Sequence, residues 1–274
     1  MDMPQITDRT ALARNRARAL PDALFLQEHA ADELQERLNE VNRTFTSVAI
    51  VTGFRDFWTR RYPDATVVAD DEMLDLKQQG FDLILHSMCL HWANDPVGQL
   101  VQSRHALKPD GLLLCTFLGG QTLHELRASL AEAEAAVAGG LSPRVAPMGE
   151  IRDLGGLLQR AGFALPVADS TPLTASYANA FHLMHDLRHM GENNALSQRI
   201  RHATRRNVLT EAAAVYADNF RNAENRIDAT FEMITLTGWA PADTQPQPLR
   251  PGSATTRLAD ALGASETPLD GSDD

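Results

Sequence analysis

Two cysteines in 274 residues, Cys89 and Cys115, exclude a disulfide scaffold and a cysteine-only zinc or iron–sulfur site within one chain. Basic excess is missing as well. The 25 Lys and Arg stand against 36 Asp and Glu, a formal net charge of −11, which argues against a nucleic-acid partner because nothing is left over to neutralise phosphates. No apolar run approaches the ~20 residues of a membrane helix, so no transmembrane segment is expected. The first twenty residues contain no apolar core and no small-residue cleavage site. They are expected to be an exposed basic lead-in rather than a secretory signal, and Asp2 and Asp8 weaken a transit-peptide reading. No P-loop, no Ser–His–Asp order and no internal repeat is present.

What is present is an ordinary globular composition, 43% hydrophobic and 22% charged. The expected layout is a lead-in at 1–20, one domain at 21–240, and a Pro-rich, then acidic tail at 241–274 without fixed structure. Within the domain, residues 22–41 carry helical spacing. Short apolar or β-branched runs at 47–52, 65–70, 81–89 and 112–118 read as strands. A brief helix fits 54–62. Asn94-Asp95-Pro96 reads as a helix start, with Asp95 as the cap. KPDG at 108–111 reads as a turn, and Thr122-x-x-Glu125 as a capping box opening a helix that ends at Gly139-Gly140. Helices are expected at 149–161, 177–190 and 203–220, and a further strand at 228–239. Alternation of strands and helices through residue 118 predicts a doubly wound, mainly parallel α/β sheet. Its ligands belong outside the carboxyl ends of the strands, at 53–56, 70–73, 86–92 and 118–122.

Several chemistry-bearing groups fall elsewhere. His182, His185 and His189, at i, i+3, i+7 with Asp186 between, place three imidazoles along one helical face. That is a metal-ligand arrangement, although a polar outer face explains the spacing as well. His86 and His91 with Asp70 and Asp71 are an alternative two-His-one-carboxylate set. Cys89 and Cys115 read as small core residues.

The phrases ADDEML (69–74), FDLILHSMCLHWANDP (81–96), ALKPDG (106–111) and RAGF (160–163) resemble the class I SAM-dependent methyltransferase superfamily. SMCLHWANDPVGQL, LGGQTLHELRASL, LSPRVAPMGEIRDLGGLLQRAGFALPVAD, MGENNAL, TFEMITLTGWAP and LRPGSA are similar to one branch of it. That branch is the methyltransferase-like, arginine-hydroxylase assembly factor of complex I in mitochondria and alphaproteobacteria. The similarity spans residues 8 to 262. It implies a protein partner such as a complex I subunit, and a place in the cytoplasm at the inner face of the respiratory membrane. It also implies a SAM pocket built from Gly53, Asp70, Asp71, His86, Ser87, His91 and Trp92.

The departures lie at the cofactor end. A SAM loop needs an acid ending the first strand and glycines after it, so that the backbone approaches the ligand closely. Aligned on Gly53, the acidic position is Ala49, and the other two glycine positions are Val51 and Arg55. Residues 54–64 are too few for a helix–strand–helix unit, so one strand and its ribose-binding carboxylate are expected to be missing, leaving six strands with 65–70 directly beside 47–52. These features point to a degenerate pocket that binds SAM weakly or not at all, in an accessory factor acting on a protein. An active SAM-dependent methyltransferase and a metal-dependent arginine hydroxylase are the competing readings. Function is expected on 87–96, 118–127, 141–163 and 250–254, with Trp92 as a binding anchor.

Overall fold

The computed structural model describes residues 5–246 and 256–264. Its centre is a six-stranded sheet in the order β2-β1-β3-β4-β6-β5. β1 (Val48–Thr52), β2 (Thr66–Val68), β3 (Phe81–Ser87) and the central strand β4 (Leu107–Gly119) run parallel, and β6 (Ile227–Trp239) and β5 (Ala164–Tyr177) add an antiparallel edge hairpin. This is the doubly wound sheet expected, one strand short. β2 lies directly beside β1, with Ile50 opposite Val67.

Alternation along the buried strands divides the core. Ile50, Leu83, Leu85, Leu112 and Leu114 face α2 (Phe25–Glu40) and α3 (Arg55–Arg61), packing on Leu34 and Trp58. Ala49, Val51, Ile84, Leu113 and Cys115 face the other way, onto Leu100 of α4 (Pro96–Ala106) and Leu158 of α6 (Ile151–Arg160). Covering both faces is what makes the inner strands continuous apolar runs. On the hairpin side, β6 lays Ala229, Phe231 and Met233 against α5 (His124–Ala138), α7 (Ala180–His189) and α8 (Arg206–Asn219).

Four expectations need correction. First, β5 was not foreseen. Its two prolines, Pro166 and Pro172, argue against a central strand, but β5 is an edge strand, where a missing N–H on the outer side costs no ladder bond. Second, KPDG is not a turn ahead of the strand. It lies within β4 as an irregularity, with Asp110 at φ +60° and the register shifting between Phe81 and Leu83. Third, Thr122 and Glu125 form no capping box. The N-cap is Leu123 at φ +52°; Thr122 donates to the Gly119 carbonyl, and the Glu125 carboxylate accepts from the Thr230 amide at 3.0 Å. The helix does end at Gly139, whose φ of +70° suits a residue without Cβ. Fourth, the lead-in is not a loose exposed segment. Residues 5–20 form α1 (Arg9–Arg16) and its flanks, burying Ala11, Leu12 and Asn15.

Residues 243–274 cluster as a separate unit, in which the short helix α9 (Leu258–Leu262) is described. The phrase around Arg250-Pro251-Gly252-Ser253 lies outside the described residues.

Candidate functional site

Two cavities open near the carboxyl ends of the strands, and α1 borders both. The helix is held by its own cap and by long-range bonds. The Asp8 carboxylate accepts from the Ala11 amide at 3.0 Å and pairs with Arg199 at 3.0 Å, while the Thr7 amide donates to Asn94 Oδ1 at 2.8 Å. Leu12 packs with Trp92 and Leu196. Seven residues, about two helical turns, then bring Arg9 and Arg16 onto one face.

The first cavity, about 600 Å³, lies between α1, the turn after β1 and the end of β2. Gly53, Asp70 and Asp71 line it, as the resemblance implies for part of a SAM pocket. Asp70 follows the strand next to β1 and is 3% exposed. Arg16 Nη1 donates to both its carboxylate oxygens, at 2.7 and 2.9 Å. Arg9 Nη1 reaches Oδ2 at 3.2 Å, and Arg9 Nη2 donates to the Asp70 carbonyl at 2.7 Å. Burial alone would raise the Asp70 carboxyl, but the charges of Arg16 and then Arg9 outweigh it and hold it below the usual carboxylate range. The Arg16 guanidinium also lies over the Phe54 ring at 5.7 Å. A Cβ built on Gly53 would overlap this guanidinium, so the close approach that a glycine permits is used here by an arginine of the same chain. Ala49 and Val51 are fully buried strand residues, and Arg55 begins α3, so the turn after β1 is only Gly53-Phe54.

His86 and Ser87 line neither cavity. Both are fully buried beneath the strand ends. His86 Nε2 lies 3.0 Å from Gln99 Oε1, and Ser87 Oγ 3.3 Å from Thr116 Oγ1. Burial pushes the His86 imidazole down to about 4, so it is neutral at pH 7. Gln99 in turn donates to the carbonyls of Asp70 and Asp71, each at 3.0 Å, tying the β2 end to β3. Cys89 and Cys115 are buried, and burial raises both thiols.

His91 and Trp92 line the second cavity, about 550 Å³, bordered by α1, α5, α7 and the segments 144–148 and 192–204. Trp92 is 4% exposed and forms part of the wall of this chamber. Its Nε1 donates to Glu192 Oε2 at 2.7 Å, and His91 Nε2 lies 3.3 Å from the same oxygen. Glu192 follows Gly191, whose φ is +80°. Burial would raise this carboxyl, but hydrogen bonding and charge from His91, with Arg16 behind, lower it instead. Glu192 Oε1 and His91 Nδ1 are buried and have no hydrogen-bond partner among the described residues.

Sequence reasoning missed Arg9, Arg16, Gln99 and Glu192. Glu192 stands in the phrase MGENNAL as its only acid, which is the one local signal that marked it. His182 and His185 are exposed on α7, and Asp186 accepts from the Tyr177 hydroxyl at 2.8 Å. Among the described residues, no three His, Cys, Asp or Glu side chains are grouped as a metal ion would need. None of the helices searched is long and apolar enough to cross a membrane.

A methyltransferase-domain family model matches residues 29–115. Arginine-hydroxylase NDUFAF5, mitochondrial, of Danio rerio is 36% identical over 247 residues, covering 89% of this chain and 76% of that one. The chain belongs to the NDUFAF5 arginine-hydroxylase family. The human protein of that name is 39% identical over 198 residues, covering 72% of this chain and 57% of its own length. The chain therefore spans little more than half of this relative. Malonyl-[acyl-carrier protein] O-methyltransferase of Xylella fastidiosa is 35% identical over 179 residues, covering 65% and 58%. Among solved structures, the YcgJ protein of Bacillus subtilis aligns over 78% of this chain and 99% of its own, with a TM-score of 0.49 at 12% identity.

Proposed function

We propose that the chain is an accessory factor for respiratory complex I that acts on an arginine-bearing protein partner, with SAM binding weak or absent. The observation that carries this reading is the Arg16–Asp70 contact. In a class I pocket, a glycine turn and a carboxylate grip the nucleoside and amino-acid ends of SAM. In this chain Gly53 and Asp70, which the resemblance places in that pocket, are engaged by one guanidinium, side chain 8% exposed. SAM could enter only by displacing Arg16 into a site of comparable charge compensation. Losing a charge-assisted carboxylate grip costs roughly 1.5–3 kcal/mol, one to two decades of affinity, before the altered turn is counted. The residues of this cavity therefore do not fit SAM as they lie. The arginine-hydroxylase activity for which the family is named supports an arginine as the target. Partner action at the inner face of the respiratory membrane remains part of the same proposal.

The test is calorimetry with SAM. No heat of binding is expected at tens of micromolar, whereas Arg9→Ala/Arg16→Ala, which frees Asp70, is expected to bind SAM better than the parent. Tight binding by the parent chain would favour an active methyltransferase and sink this reading. In cells, loss of the chain should lower the level of assembled complex I.

A further inference from the structure

The second cavity joins apolar walls to a single buried acid. Its walls are apolar, with Leu118, Leu126, Leu130 and Met184 among them. Within it sits a buried carboxylate with one oxygen unsatisfied, Glu192 Oε1, its side chain 6% exposed. Beside it, His91 Nδ1 is equally unpartnered, its side chain 3% exposed. Leaving a buried charged acceptor without a donor is costly, so such a group calls for an occupant that supplies one.

The lining adds a second, independent feature. Five arginines face the cavity against this single acid, in a chain whose net charge is −11. Arg144 and Arg199 are neutralised by Glu134 and Asp8. Arg14, Arg18 and Arg188 are exposed and have no acidic partner among the described residues. A bare cation approaching this cavity meets three uncompensated positive charges. A cation carried on an acidic segment meets three partners instead.

We infer that this chamber receives an arginine side chain of the partner protein, with its guanidinium paired to the Glu192 carboxylate, its stem along the apolar walls and acidic flanking residues on Arg14, Arg18 and Arg188. A planar guanidinium suits the site better than an ammonium. It is more weakly hydrated, presents donors in a fixed fork, and stacks on aromatic faces such as Trp92 and His91. The exposed arginines supply selection by repulsion: basic segments without acidic flanks are turned away. The inference rests on the reading that the chain acts on an arginine-bearing partner; it does not depend on whether SAM binds.

The experiment uses the full chain and a set of acidic decapeptides, each with one central arginine between Asp and Glu residues. Matched sets carry lysine or the uncharged isostere citrulline at the centre. Binding is read by calorimetry and by fluorescence of the indoles. The arginine set is expected to bind at least tenfold more tightly than the citrulline set and several-fold more tightly than the lysine set. Glu192→Gln keeps an acceptor for the Trp92 indole and is expected to lose tenfold or more in arginine-peptide affinity without losing thermal stability. Arg14→Glu/Arg18→Glu/Arg188→Glu is expected to lose a similar factor, together with most of the salt dependence. Equal binding of arginine and citrulline peptides, unchanged affinity in Glu192→Gln, or no arginine-dependent binding anywhere in the set would each overturn the inference. Equal binding of lysine peptides would overturn the guanidinium assignment. If SAM binds tightly while the arginine peptides also bind, the cofactor reading fails and the receptor stands.

Discussion

The cavity around Asp70 and the cavity around Glu192 both hold a buried carboxylate near the strand ends, and they differ in how that carboxylate is satisfied. Asp70 has both oxygens engaged by two arginines of the same chain. Glu192 has one oxygen held by Trp92 and His91 and the other left open. A buried acid that its own chain fully compensates is structural by its energetics. Glu192 differs in keeping one oxygen without a donor, although the charge of Arg16 reaches both acids. One segment makes the difference: α1 closes the first cavity with Arg9 and Arg16, while Arg14 on the same helix and Arg18 just after it border the second.

Removing each acid in turn separates the two cavities most strongly. Asp70→Ala strands the Arg16 guanidinium in the interior. Deleting one partner of a buried pair costs about 3–5 kcal/mol, and urea denaturation should show a loss of that order. Adding Arg16→Met to Asp70→Ala should restore part of it, since an apolar replacement of a whole buried pair is often neutral. Glu192→Gln, by contrast, is expected to leave stability nearly unchanged. Equal destabilisation by the two single changes would abolish the distinction between the cavities.

The second effect separates the cavities by pH. His86, under the Asp70 side, is held neutral by burial with its folded value near 4, against about 6.5 unfolded. Between these values the unfolded chain binds the extra proton, so stability rises with pH across that window and falls as the solution is acidified from 6.5 towards 4. From pH 7 to pH 5 the loss should be about 2 kcal/mol. Asp70, with a depressed folded value, contributes stability that is present above its unfolded value and lost only as pH falls below it, so it does not act in that window. His86→Gln should flatten the slope between pH 7 and pH 5. A slope unchanged in the variant would place the titrating group elsewhere.

The contrast also explains what the sequence made legible. β1, β3 and β4 stood out because strands covered on both faces are unbroken apolar runs, and the 11 residues between Gly53 and Ala65 foretold the missing strand. β5 stayed hidden because edge position removes both the apolar run and the bar against proline. Thr122 and Glu125 matched a local motif, but their hydrogen bonds go to Gly119 and Thr230, the latter 105 residues away from Glu125. The site suffered most. Gly53, Asp70 and Asp71 fell in one cavity, His91 and Trp92 in another, and His86 and Ser87 in neither. Arg16 lies 54 residues from Asp70 and Trp92 lies 100 from Glu192, so no spacing rule joins them.

Gly53 reports on the first cavity through its close approach to Arg16. Gly53→Ala puts a methyl group where the Arg16 guanidinium sits, and the guanidinium is the far end of a flexible side chain that must then leave Asp70. Overpacking of this kind costs about 1–3 kcal/mol. In an Arg16→Ala background the obstruction is gone, so Gly53→Ala should cost little. A coupling of about 1 kcal/mol or more is expected from the double-mutant cycle. Additive losses would mean that Arg16 is not the group that Gly53 accommodates.

The smallest effect grades the two arginines that close the first cavity. Both contact the Asp70 carboxylate, yet the Arg16 side chain is 8% exposed and that of Arg9 26% exposed. Solvent near Arg9 screens its charge, and its contact is a single side-chain bond at 3.2 Å against two shorter ones from Arg16. Arg9→Ala should therefore cost about 0.5–1 kcal/mol, in the range of a partly exposed pair. Arg16→Ala should cost several times more, because it leaves Asp70 buried with only the weaker partner. Salt distinguishes the two further. At 1 M salt the screening length falls to about 3 Å, so the Arg9 effect should shrink towards zero while the Arg16 effect persists. Denaturation curves of the two variants at low and high salt read this directly. An Arg9 loss as large and as salt-resistant as that of Arg16 would show that the compensation of Asp70 is shared equally, and that α1 closes the cavity through both ends rather than through Arg16.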